Sequence, residues 1–592
     1  MKHSHAYILL GILVAAILIA YAPLRKAQFV NYDDDKMVYQ NPKITSLSPA
    51  AIKTIFTEDH VGLYHPLVLL SYAIEYRFFQ LDPAPYHMTN LVLHLLNTGL
   101  VFWIILIVSH QPLVAFVTAL FFGIHPLHVE SVAWVTERKD TLYAFFFLAS
   151  LVAYLLYKRK PSPAAYGVSL VLFICSLLSK PMAVTLPFIL IACDYLIENK
   201  ITKKDITEKI PFFAVAVLFG LLTVLIHYGS KDVSPRPPFA LWQKFFISSY
   251  GFIFYIGKMF LPVKLSCIYQ YPDNIYTRLP AIFAAAPFIV TALTAAVVFS
   301  VRYTKKIIFG FLFYAVTVAP VLQFLPAGGE AVPADRYTYI PLIGLFYIAA
   351  EGCGWAWKRN RQLRVLVIIA LTALTVILGH LTFTRCLVWQ DSITLWTDVL
   401  GSRPRTGVAY SNRGSEYFLR GDHVRAVADF TEALRLNPGY AEVYNNRGVL
   451  YSTRGDNDKA IADFTRAILL KPAYAASYDN RGLAYHRKGL LHEALRDFTK
   501  AIELHPRLAS AYNHRGIVYN DQGLFDKAIE DYNTALALQP AFADACHNRG
   551  VAYFMKRDFD RAWQDVREVR RLGDRPNPRF IELLKQQSGR EE

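Results

Sequence analysis

Asparagine, arginine and glycine recur together along the last third of the chain, at Asn412 to Gly414, Asn446 to Gly448, Asn480 to Gly482 and Asn548 to Gly550, with His514 to Gly516 between them. The period is 34 residues throughout. An aromatic follows each glycine by three (Tyr417, Tyr451, Tyr485, Tyr519, Tyr553), then an alanine (Ala426, Ala460, Ala494, Ala528, Ala562), and Pro438, Pro472, Pro506 and Pro540 close four of the units. A fixed period of this length leaves few folds open. Each unit is a pair of helices too small to bury its own apolar face, so the units must stack into a solenoid. Glycine and alanine let paired helices approach, Tyr and Phe fill the seam, and proline stops the second helix.

The pattern is that of the tetratricopeptide repeat, with five repeats over 407–576 (407–440, 441–474, 475–508, 509–542 and 543–576). In the fifth, Val566 and Val569 stand where the first has Phe430 and Ala433, as a terminal repeat allows, and 577–592 is expected to form a capping helix and tail. Asn412, Asn446, Asn480 and Asn548 fall in register on the first helices. They form either a ladder of amides in a peptide-binding groove, there to take an acceptor protein, or interhelical hydrogen bonds.

Ahead of the repeats the chain is far more apolar. A composition of 54% hydrophobic and 14% aromatic residues over 592 positions exceeds what one soluble core needs. The expected architecture is all-α: a multi-span membrane domain over 1–390, a linker over 391–406, then the solenoid. About eleven apolar stretches reach spanning length, near 6–24, 87–109, 112–132, 140–157, 162–179, 182–198, 210–228, 281–301, 307–326, 338–357 and 363–384. The stretch 240–262, interrupted by Lys244 and Lys258, is expected to be interfacial or re-entrant. The first stretch reads as an uncleaved anchor, because the residues from Tyr21 to Arg25 make a poor cleavage site.

The net charge of +16 divides unevenly. Residues 401–592 hold 30 Lys and Arg against 25 Asp and Glu, so most of the excess lies in the membrane part. It clusters at Lys158 to Lys160, at Lys200, Lys203, Lys204 and Lys209, at Arg302, Lys305 and Lys306, and at Lys358 to Arg364. Basic residues in short loops mark the cytoplasmic side and need no nucleic acid partner. The six cysteines show neither CxxC spacing nor an exported disulfide set. With eleven spans, the N-terminus lies inside, and the solenoid lies outside.

The same topology gathers the loops richest in ionisable residues on the outer face. These hold Asp33, Asp34 and Asp35; His125, His128, Glu130, Arg138 and Asp140; Lys180; and the loop 327–337 with Glu330, Asp335 and Arg336. Charges at membrane depth are costly and usually serve a site. His125 and His128 have His-x-x-His spacing, but no third ligand follows at a standard interval, and no metal is assigned.

Together with Asn41-Pro42, Tyr64 to Pro66, Tyr86 to Asn97 and Tyr339, this set resembles the transmembrane and tetratricopeptide repeat-containing O-mannosyltransferases and their bacterial relatives, within the C-type glycosyltransferases (GT-C). The resemblance implies a GT-C-type helix bundle. It further implies transfer of a sugar, mannose in the eukaryotic members, from a polyprenyl phosphate in the membrane to a protein Ser or Thr hydroxyl on the outer or lumenal side. The lipid-linked sugar is then the donor, and the resemblance requires no cofactor beyond it. The acidic pair of the first outer loop would supply the base. Aligned on Asn41-Pro42 the pair is Asp33 and Asp34, with Asp34 the expected base and Asp35 the third acid.

The chemistry agrees. A weakly nucleophilic hydroxyl gains from a carboxylate that removes its proton, and one base suffices for a single, inverting displacement. The departing phosphate needs cations or donors, for which Arg138, Lys180 and Arg336 come first and His125 and His128 second, with Glu130, Asp140 and Asp335 in support. The competing expectation is a non-catalytic scaffold that anchors the repeats in an envelope membrane. The compact loops point to a bacterial inner membrane.

Overall fold

The computed structural model describes residues 3–198, 201–229, 239–269, 279–322 and 333–590. It is all-α, and the only bridge of β type among the described residues is the isolated pair His60 and Leu63. The chain divides into two compact units, Met1–Pro404 and Arg405–Glu592.

In the first unit prolines set where helices begin. Pro66, Pro83, Pro112 and Pro163 each open a helix, where the missing N–H costs nothing. Elsewhere a proline ends one. The helix Pro112–Ile124 stops before Pro126, whose ring disfavours a helical residue at His125. Thus the apolar run 112–132 is not one straight helix. It bends by 51° into Pro126–Ala133, and the short turn Val135–Glu137 follows before the helix Arg138–Arg159 begins. The bend carries Glu130, Trp134 and Glu137 into the interior, each 2% exposed or less.

Among the described residues six helices are long and apolar enough to cross a membrane (Pro83–Ser109, Val135–Arg159, Pro181–Glu198, Lys203–Ile226, Ala281–Ser300 and Arg361–Val388), or seven if the bent pair is one span. That is fewer than the eleven expected. Helices do form at the other stretches, but Ala6–Ala20 and Pro163–Ser179 are shorter apolar helices and Lys305–Val318 has only 14 residues. The stretch 240–262 forms one helix, Leu241–Phe260. The expected linker is also structured. Helix Ser392–Ser402 lies in the first unit, with Trp396 fully buried and donating to Asn31 Oδ1 at 2.7 Å.

The second unit contains five helix pairs from Gly407–Leu419 to Phe559–Arg571, followed by Pro578–Ser588. Each Asn-Arg-Gly arginine forms a bidentate pair with an aspartate 16 residues on, for example Arg447 with Asp463 at 2.8 and 2.9 Å. From the second repeat on, its third nitrogen reaches the preceding repeat, as Arg481 does to Thr465 at 3.0 Å. The glycine is demanded by contact. A Cβ on Gly482 would lie 2.8 Å from the buried Phe498 ring. Gly482→Ala is expected to destabilise the solenoid by about 1–3 kcal/mol through overpacking, read as an earlier melting of helical circular dichroism in the full chain.

Candidate active site

The three aspartates do not share one environment. Asp33 has φ 87°, a left-handed conformation uncommon outside glycine, so the backbone turns between it and its neighbour. Asp34 is directed inward and has no exposed surface. Its Oδ2 accepts Val30 N–H at 2.9 Å, and its Oδ1 accepts the Thr136 N–H at 2.9 Å and the Thr136 hydroxyl at 2.6 Å. Burial raises the Asp34 carboxyl to about 7, against the pull of these three hydrogen bonds. Asp33 is half-exposed, with Lys36 Nζ at 3.5 Å, and Asp35 opens the helical turn Asp35–Tyr39. Asp34, the expected base, thus has no exposed surface and both oxygens occupied, which anchors the loop, whereas Asp33 is half-exposed.

The anchor leads directly to a cluster of charge. Tyr32, beside Asp33, stacks on Trp134 with ring centroids 4.4 Å apart. Over Trp134 lie the Arg336 guanidinium at 5.5 Å and the Lys139 ammonium at 5.6 Å. Beneath these cations is Glu137, fully buried, with Lys139 at 3.1 Å, Arg336 at 3.4 Å and Lys180 at 3.7 Å. Lys180 also pairs with Asp140, which takes a hydrogen bond from Ser131 at 3.1 Å. Arg336 pairs with Glu130 at 2.6 Å. Both lysine and arginine flank Tyr337, at 5.9 and 5.0 Å from the ring. His65 is buried, and that burial, then the charges of Lys139 and Lys180, push it down to about 3, so it is neutral.

Three expected phosphate ligands do not join this cluster. Arg138 has no exposed surface and points away from it, donating to Glu75 at 3.0 Å, the Tyr86 carbonyl at 2.8 Å, Ser71 at 3.3 Å, and Asn90. It ties helix Arg138–Arg159 to Pro66–Phe79 and Pro83–Ser109. His125 accepts from Leu127 N–H and reaches the Met259 carbonyl at 3.0 Å. His128 bonds the Phe122 carbonyl at 2.8 Å among the rings of Phe122, Tyr339 and Phe346. Both histidines are packing residues, and among the described residues no group of three or more His, Cys, Asp or Glu could hold a metal ion. Asp335 is buried behind Arg336 and accepts from Tyr269 at 2.7 Å. Glu330 lies outside the described residues.

Sequence comparison finds relatives of one kind. Protein O-mannosyl-transferase TMTC1 of Homo sapiens is 24% identical over 491 residues, which are 72% of this chain and 55% of that protein. TMTC3 of Mus musculus is 23% identical, over 67% of this chain and 49% of its own length. Protein O-mannosyl-transferase F38B6.6 of Caenorhabditis elegans is 21% identical, over 72% and 62%. Over about seven-tenths of its length the chain is similar to proteins named protein O-mannosyl-transferases. It spans about half to three-fifths of the length of these curated relatives. Tetratricopeptide repeat models match residues 407–440, 441–474, 475–507 and 516–556. Among solved structures, the crystal structure of MamA is 27% identical, with 27% of this chain and 94% of that one covered at a TM-score of 0.25.

This chain joins a part with several apolar helices of spanning length to tetratricopeptide repeats. Within the repeats the asparagines bond across units: Asn480 donates to Asn445 and Asn548 to Asn513, each at 3.0 Å. His514 takes the same place, bonding Asp479 at 2.8 Å. Asn412 and Asn446 are half-buried in the same register. The alternative of hydrogen bonding between repeats thus accounts for the amide donors of Asn480 and Asn548.

Trp134, Glu137, Lys139, Tyr32 and His65 had not been singled out from sequence as site residues. A tryptophan and an extra acid in a loop already rich in charge carry no separate signal. Two outcomes follow. Arg138→Met is expected to leave Glu75 buried and unpaired and to cost about 3–5 kcal/mol, seen as lost monodisperse protein in size-exclusion chromatography. The raised Asp34 carboxyl gives stability present below pH 4 and lost as pH rises towards 7. In detergent, melting temperature over that range is expected to fall more steeply for wild type than for Asp34→Asn.

Proposed function

We propose that this chain is a membrane glycosyltransferase that moves a mannose-like sugar from a polyprenyl-phosphate donor to a protein Ser or Thr hydroxyl on the extracytoplasmic side. The observation that carries the reading is a half-exposed aspartate, Asp33, whose neighbour Tyr32 stacks on Trp134, the ring over which Arg336 stands, with Lys180 and Arg336 sharing Glu137. The relatives named protein O-mannosyl-transferases support the same reaction class.

In this mechanism Asp33 accepts the hydroxyl proton as the oxygen bonds to the anomeric carbon from the face opposite the phosphate. The carbon–phosphate oxygen bond breaks with its electron pair on the lipid phosphate, and Lys180 and Arg336 stabilise that charge. A single displacement inverts the anomeric centre. Asp34 holds the turn that aims Asp33. The repeats recruit the acceptor protein, and the repeats and Asp33 lie together outside an inner membrane whose cytoplasmic face carries the basic loops.

The test is transfer from a panel of radiolabelled polyprenyl-phosphate sugars to envelope proteins by the purified full chain. Asp33→Asn is expected to lose about 10²–10⁴-fold in transfer with an unchanged melting temperature. Loss in Asp34→Asn alone would return the base to Asp34. No transfer by wild type from any donor would favour the scaffold.

A further inference from the structure

Glu137 is an unusual carboxylate. It is completely buried, and three cations stand within 4 Å of it, Lys139 nearest at 3.1 Å. Two buried polar atoms lack a partner, Nε1 of Trp134, over whose ring Lys139 and Arg336 stand, and Nδ1 of His65. A burial of this kind is costly unless the cations are held for a ligand that completes their bonding.

The three cations are not equally committed. Arg336 has Glu130 as well as Glu137, and Lys180 has Asp140 as well as Glu137. Lys139 pairs with the shared Glu137 and stands over Trp134 with its side chain 14% exposed, a position from which its remaining ammonium protons can reach outward. It also sits in the first turn of helix Arg138–Arg159, where backbone N–H groups favour an anion. Its neighbour Arg138, by contrast, spends its donors on protein acceptors.

We propose that Lys139 is a direct ligand of the donor's phosphate, completing with Lys180 and Arg336 a three-cation fork that Glu137 holds open. The proposal rests on the transfer reaction above. It names the ligand chemistry as a phosphate ester, supplied by a lipid headgroup, with Glu137 as a positioning residue.

The experiment is binding of radiolabelled undecaprenyl phosphate to the full chain in phosphatidylcholine nanodiscs, with undecaprenol and inorganic phosphate as separate arms. Lys139→Gln is expected to weaken lipid-phosphate binding about tenfold or more and Lys139→Arg by much less, while undecaprenol binding stays constant. In wild type the lipid phosphate is expected to protect Lys139 from amine acetylation, read by mass spectrometry, whether or not the variant folds. Inorganic phosphate protecting equally well would overturn the lipid source. Unchanged affinity in Lys139→Gln, or no protection of Lys139, would overturn the fork. If lipid phosphate binds as expected but no sugar is transferred, the transfer reading fails and the fork stands; if sugar is transferred and Lys139→Gln binds donor normally, the reverse holds.

Discussion

Asp34 accepts three hydrogen bonds from Val30 and Thr136 while seeing no solvent, and the geometry of the candidate site follows from that tie. It fixes the loop after the first helix against the bent segment that ends in Glu137. With the loop fixed, the left-handed turn at Asp33 turns that residue outward and lays Tyr32 flat on Trp134. Trp134 in turn is the floor over which Lys139 and Arg336 stand. A broken Asp34 contact would release the acid and the aromatic floor together.

The price of such a site is desolvation. Glu130, Glu137 and Asp140 are all 2% exposed or less, and ions at that depth are tolerated only with close partners. Arg336, Lys180 and Lys139 supply these, crossing between three chain segments far apart in sequence. Arg138 with Glu75 builds a second buried pair that is wholly internal. The two sets use adjacent residues of one helix start for opposite ends, one to bind helices together and one to face outward.

The solenoid was legible because a 34-residue period constrains every repeat at once, and Gly482 against Phe498 shows the contact that the pattern encodes. Its arginine to aspartate pairs, such as Arg447 with Asp463, were not, since polar residues 16 apart carry no recognised signature. In the membrane part hydropathy found where helices lie but not which are long enough to span, and it ran through the break that Pro126 imposes at His125. That Asp33 and Asp34 face different surroundings was closed to sequence because it depends on one backbone dihedral. Likewise Arg138 and Lys139 differ by about 100° around a helix, so identity alone could not tell the buried cation from the accessible one.

The most direct measurement of the central claim, that donor chemistry takes place over the Trp134 floor, is photocrosslinking of a polyprenyl-phosphate sugar bearing a diazirine beside the phosphate, mapped by mass spectrometry on the full chain. Labelling is expected on peptides containing 134–139, Lys180 and 336–337, and it should be competed by unlabelled donor. Competed labelling confined to other segments would contradict the account.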